Sequence, residues 1–261
     1  MTEFFARLSA PRLAGRLPLA ALSLTFAGLL SACATTAVPT NTPGAITDET
    51  RMMYAEVQDG DITIPAIEDK YLTEEKKRQV VDYWSDQKPG TIIVDPGARW
   101  LYQVQEGNKA MRYSVAVGAE GLAFSGNANI ALKREWPHWT PTANMIRRDP
   151  ETYGPVASGL PGGLENPLGA RALYLYKGGR DTLYRIHGTP SPWTVGHATS
   201  SGCIRMFNQD SLYLYDTTPK GTKVIVLPAS RSGEGTMAPG ETLPLTSAAE
   251  TAETAETGGN A

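Results

Sequence analysis

The chain has 261 residues, is 20% charged and 41% hydrophobic, and carries a formal net charge of −3 with only three histidines and two cysteines. A mildly acidic chain without a basic run is a poor nucleic-acid binder, so nucleic acid is excluded as a partner.

In chain order, Arg7, Arg12 and Arg16 form a basic front to an apolar run from Leu17 to Leu30. The run is shorter than the roughly 20 residues that span a bilayer and has the length of a signal-peptide core. It ends in Leu30-Ser31-Ala32-Cys33, which resembles the lipobox of bacterial lipoproteins. That resemblance implies cleavage after residue 32, a lipid on Cys33 and a membrane anchor at the periplasmic face of the envelope. Ala34, rather than Asp, is compatible with the outer membrane. An ordinary signal peptide or short anchor is the alternative. Removing residues 1–32 takes away three Arg and one Glu, leaving 21 basic and 26 acidic side chains and a charge of about −5.

Residues 33–70 begin Thr-, Pro- and Ala-rich and read as a flexible tether. Thr73-Glu74-Glu75 has the form of an N-cap with acids in the first turn, so 71–88 reads as a short helical lead-in with Val80, Val81 and Trp84 inward. Six short segments then read as strands: 91–95, 100–105, 111–117, 172–176, 183–187 and 223–227. Each is β-branched or aromatic-rich and bounded by Gly, Pro, Asn or Asp. D-P-G-A at 95–98 and E-G-N-K at 106–109 have turn composition. The segment 124–170, rich in Gly, Pro, Trp and Asn, reads as a long irregular loop, the kind that serves as a lid or binding loop. Together 89–228, about 140 residues, make one mostly-β domain of ordinary size. The Gly/Ser/Thr/Ala-rich residues 229–261 read as a disordered acidic tail.

The chemistry concentrates between Arg185 and Asp210, in R-I-H-G-T-P-S-P-W-T-V-G-H-A-T-S-S-G-C-I-R-M-F-N-Q-D. With Cys33 lipidated, no second cysteine remains to form a disulfide with Cys203, and such a thiol in an oxidising compartment stands out. Such a cysteine is either a buried, inert small hydrophobe or a reactive thiolate. Gly202 beside it would free backbone for an oxyanion, and Arg205 with a nearby histidine would favour the thiolate.

I-H-G-T at 186–189 with S-S-G-C-I-R-M at 200–206 resembles the active-site signature of the YkuD-type L,D-transpeptidase domain. The flanking pieces W-P-H-W-T-P (136–141), P-G-G-L-E-N-P-L-G-A-R-A-L-Y-L-Y (161–176) and R-D-T-L-Y-R-I-H (180–187) carry the same resemblance. It spans about 90–227 and is nearest to the ErfK/YbiS/YcfS/YnhG-like subgroup. One departure is Ser201, which stands where many members have a second histidine before Gly-Cys. The resemblance implies a YkuD-type β-sandwich with a few short helices. It implies Cys203 as nucleophile and His187 as base, oriented by a neighbouring backbone carbonyl. N–H groups around Ser201, Gly202 and Cys203 would form the oxyanion hole, with Arg205, Gly188, Thr189, His197 and Trp139 as further substrate-binding candidates. The implied substrates are peptidoglycan stem tetrapeptides. The acyl acceptor would be another stem or an outer-membrane protein, and no metal or organic cofactor is needed. The alternatives are an L,D-carboxypeptidase using the same acyl-enzyme, a non-catalytic peptidoglycan-binding lipoprotein, and a zinc site on His187, His197 and Cys203, which lacks a clear fourth ligand.

Overall fold

The computed structural model describes residues 46–118, 124–199 and 203–241. The expected signal peptide, Cys33 and the first part of the expected tether, along with Ser201 and Gly202, lie outside the described residues. Among those described, no helix is long and apolar enough to cross a membrane.

The fold is mostly β. After a first helix, α1 (Asp48–Met53), a hairpin pairs β1 (Val57–Asp59) with β2 (Ile62–Ile64). The main sheet then contains β3 (Gln79–Asp82), β4 (Ile92–Asp95), β5 (Trp100–Gln105), β6 (Lys109–Ser114), β7 (Ala116–Gly118) and β8 (Gly126–Glu135). Two short helices follow, α2 (Ala143–Arg148) and α3 (Pro150–Tyr153). The sheet resumes with β9 (Arg171–Lys177), β10 (Arg180–His187), β11 (Ala198–Thr199) and β12 (Ile204–Arg205); after α4 (Asn208–Thr217) it ends with β13 (Lys223–Val226). The order across it is β11-β7-β12-β10-β9-β8-β13-β4-β5-β6-β3.

That order explains the shape. β6 lies near one end of the sheet and β7 near the other, yet only Val115 separates them. One continuous strand therefore joins both ends, and the sheet must bend over itself into a sandwich. Alternation then sorts the side chains. Ile92 and Val94 enter the enclosed core with Leu101, Tyr113, Ile130, Leu175, Ile186 and Ile204, while Ile93 and Tyr102 form a second cluster on the outer face. Each fully buried aliphatic or aromatic side chain contributes about 1.5–3 kcal/mol. The two hairpin turns fall where composition placed them, and Arg99 (φ 62°), Gly107 (φ 71°) and Asn108 (φ 56°) supply their left-handed positions.

Four expectations are corrected. The helix at 71–88 is a single turn after Thr73, whose hydroxyl accepts the Lys76 N–H at 3.1 Å, followed by strand β3. β6 offers an open edge, and Val80-Val81 pairs with Met111-Ala110 there, so ladder bonding outweighs the cap signal. The tether reading fails from residue 46. Ile46, Tyr54 and Leu72 are buried with Val195 and Phe207, on either side of the Cys203 loop. The tail reading fails for 229–241: Ser232 and the Gly233 N–H both donate to buried Asp95, at 2.8 and 2.6 Å, and the Trp84 N–H donates to Gly235 O at 2.8 Å. The irregular segment contains β8, a ten-residue central strand between β13 and β9. Its sequence, GNANIALKRE, is poor in strand formers, but both its edges are paired, and that context overrides propensity.

Candidate active site

β10 and β12 are parallel neighbours, with Ile186 opposite Ile204 and His187 opposite Arg205. Ile186 and Ile204 point into the core. By the period of two, His187, Arg205 and Cys203 belong to the other face. A parallel pair needs a long crossover, and it falls between His187 and Ile204, so Arg205, two residues after Cys203, comes to lie beside His187.

His187 is 3% exposed, and its Nδ1–H donates to the Gly188 carbonyl at 2.5 Å. A carbonyl only accepts, so the bond fixes the proton on Nδ1. Burial, and then the charge of Arg205, push the imidazole down to about 3, against the pull of the Gly188 and Leu168 carbonyls. The ring is therefore neutral at physiological pH. Cys203 is partly buried, and its Sγ lies 4.0 Å from the Leu183 carbonyl. Arg205 is held below its ordinary value by burial, which outweighs the opposing effects of Cys203 and Tyr153. One guanidinium thus feels the thiol, the imidazole and the helix α3 tyrosine.

The surrounding positions were only partly foreseen. Gly188 provides no oxyanion donor, because its N–H is already spent on Arg171 O at 3.0 Å; its carbonyl orients the imidazole instead. A side chain there would run into Asn208 Oδ1 and Ser211 Oγ, so glycine is required by space. Thr189 is buried and its hydroxyl accepts the Ser191 N–H at 3.1 Å, which makes it part of the turn leaving β10. Trp139 is half-buried, hydrogen-bonded through its backbone to Leu160 and 6.2 Å from the Tyr153 ring, so it lines the same side as α3. His197 is exposed at the start of β11, three strand positions from β10, or roughly 14 Å at normal spacing. The structure does not bring it to His187. Among the described residues no group of three His, Cys, Asp or Glu side chains is placed to hold a metal ion.

Two asparagines that the sequence reading passed over organise the site. Asn166, 1% exposed, donates to the carbonyls of Pro137 and Pro161 at 2.9 Å and accepts the Leu168 N–H at 2.9 Å. It thereby folds the irregular segment and places the Leu168 carbonyl by His187. Asn208, at the start of α4, accepts the Ala170 N–H at 3.0 Å and packs under Gly188. Farther out, Arg171 makes a two-pronged ion pair with Asp59 of the N-terminal hairpin, at 2.6 and 2.8 Å. A cavity of about 130 Å³ lined by Tyr83, Trp84, Arg231 and Glu234 lies against the outer cluster, four strand positions from β12 at β13, and is not part of this chemistry.

Comparison with known proteins meets this geometry at residues 89–226, which match the family model of the YkuD L,D-transpeptidase catalytic domain. The chain belongs to the YkuD family. Escherichia coli K12 "Probable L,D-transpeptidase ErfK/SrfK" is 32% identical over 142 residues, covering 54% of this chain and 44% of the relative. The chain thus spans less than half the length of that relative. YqjB of Bacillus subtilis is 36% identical over 145 residues, covering 55% of this chain and 74% of YqjB. A solved Brucella melitensis structure described as a probable carnitine operon oxidoreductase is 50% identical. The match covers 60% of this chain and 98% of that one, with a TM-score of 0.43. The family match, and not that description, decides the assignment.

Proposed function

We propose that this chain is an L,D-transpeptidase that acts on peptidoglycan stem tetrapeptides in the cell envelope through an acyl-enzyme on Cys203. The observation that carries the reading is the buried, neutral His187, locked by Gly188 O at the end of β10 beside the strand that follows Cys203. With its proton on Nδ1, the ring offers the Nε2 lone pair. The imidazole takes the thiol proton as sulfur attacks the carbonyl of the third stem residue. It returns that proton to the amine of the departing D-alanine. A second amine then attacks the thioester, gives a proton to the imidazole, and the thiol is restored. Arg205 stabilises negative charge on sulfur during both steps.

The acceptor amine is that of another stem, giving a cross-link between third-position residues, or that of an envelope protein. Lipidation at Cys33 would keep the domain near the wall. Incubation with purified muropeptides and mass spectrometry of the products tests the reading. Cross-linked dimers support it, tripeptides alone would mean a carboxypeptidase, and no conversion would contradict both.

A further inference from the structure

The strand that delivers His187 is distorted next to the cysteine. Between Asp181 and Arg185, β10 advances four residues while β9 advances two, from Tyr176 to Tyr174, so two residues are looped out. Leu183 lies in this bulge with φ 65°, a left-handed conformation that leucine rarely adopts. Local bonds hold it there. The Asp181 carboxylate accepts the Leu183 N–H at 2.8 Å and grips the Arg185 guanidinium by two bonds of 2.7 Å. Arg185 is braced in turn 4.2 Å from the centre of the Tyr174 ring. The Thr182 hydroxyl closes the loop by donating to Leu175 O at 2.6 Å.

The bulge has two consequences. The Leu183 carbonyl comes to 4.0 Å from Cys203 Sγ, which places the Leu183 Cα within about 7 Å of the sulfur by standard bond lengths. The side chain is 70% exposed. Glycine or asparagine would make the same bend at lower cost, so the bend does not account for the leucine side chain. Bulges beside active sites re-aim side chains, and backbone outliers held by surrounding structure cluster at such sites.

We infer that Leu183 is a specificity-determining contact for the acyl donor: its side chain packs on the aliphatic part of the residue joined to Cys203. The inference rests on the transpeptidase reading. A leucine side chain rooted within about 7 Å of the sulfur is long enough to reach an acyl group there, with Asp181 and Arg185 as positioning residues.

The test uses the full chain and a purified disaccharide-tetrapeptide with diaminopimelate at position three. Leu183→Asn keeps the left-handed backbone and removes the apolar surface. Leu183→Gly removes the side chain and relieves the backbone, so it folds even if the asparagine variant does not. Leu183→Met retains an apolar chain. The asparagine and glycine variants should raise KM at least fivefold with kcat within twofold, and the glycine variant should melt no lower than the parent. Methionine should stay within twofold in both constants. Asparagine and glycine variants with KM within twofold of the parent would overturn the inference, as would a methionine variant as impaired as asparagine. A parent chain that converts no substrate would instead bring down the transpeptidase reading.

Discussion

Replacing Tyr54 with Phe tests whether the N-terminal segment belongs to the catalytic domain. Tyr54 is fully buried, and its ring meets Phe207, which follows the Cys203 strand, edge to face at 5.3 Å. Its hydroxyl accepts the Arg78 N–H at 2.7 Å and donates to Asp210 Oδ2 at 3.2 Å. Phenylalanine keeps the ring and strands both polar groups. An unsatisfied buried group costs about 1–3 kcal/mol; Asp210 keeps Arg78 on its other oxygen at 3.0 Å, so we expect about 2 kcal/mol. For a domain of this size that is about 4–8 °C in Tm. Burial raises the Asp210 carboxyl to about 6, against the pull of Arg78 and Tyr54. A carboxyl raised in the fold favours the native state while protonated, and that contribution is lost as pH rises through about 6. The lost donor matters most to the ionised form, so the Tyr54→Phe penalty should be larger at pH 8 than at pH 5. Thermal unfolding followed by circular dichroism at the two pH values measures this. A Tm change under about 1 °C at pH 8 would refute the reasoning.

Gly188→Ala, whose methyl would meet Asn208 Oδ1, should cost about 1–3 kcal/mol by overpacking and slow acylation by a carbapenem; unchanged unfolding and acylation would show that the close approach is unimportant. His187→Ala should lower turnover at least about a hundredfold in the muropeptide assay. Because burial depresses His187 from 6.5 to about 3, the rate of carbapenem acylation should show no step near pH 6.5. Stability should fall as pH drops from 6.5 towards 3, since the unfolded chain takes a proton that the buried ring refuses; an acid limb at 6.5 in the pH–rate profile would contradict the neutral-base assignment. Cys33→Ser should abolish globomycin-sensitive processing and either release the protein from membranes or leave it unprocessed, and unchanged maturation with unchanged membrane association would show that Cys33 is not lipidated.

The strands nearest the site were legible because β-branched and aromatic residues alternate between turn residues. Arg171–Lys177 and Arg180–His187 extend the expected segments by a few residues. β8 was hidden because its Gly, Asn, Ala and Lys residues carry little strand preference and its pairing on both edges is a tertiary fact. α4 was hidden for a related reason: its buried face is Asn208, Gln209, Asp210 and Ser211 with only Leu214 apolar, so no hydrophobic stripe marks it. Gln209 and Asp210 are buried because they bond the N-terminal segment, as Gln209 does to the carbonyls of Ala55 and Pro65 at 3.2 and 3.0 Å, while Asn208 braces Ala170. At the site, His187 and Cys203 stood out through scarcity and motif. Asn166 and Asn208 did not, since an asparagine that braces backbone looks in sequence like any loop residue. The Leu183 bulge left no mark, because leucine rarely takes that conformation.

The central claim is that Cys203 carries the acyl group. Intact-mass spectrometry of the chain after brief reaction with a carbapenem tests it most directly. The account predicts a single adduct that peptide mapping places on Cys203 and that is absent from Cys203→Ala. An adduct that persists in Cys203→Ala, or a parent chain that is not acylated at all, would contradict it.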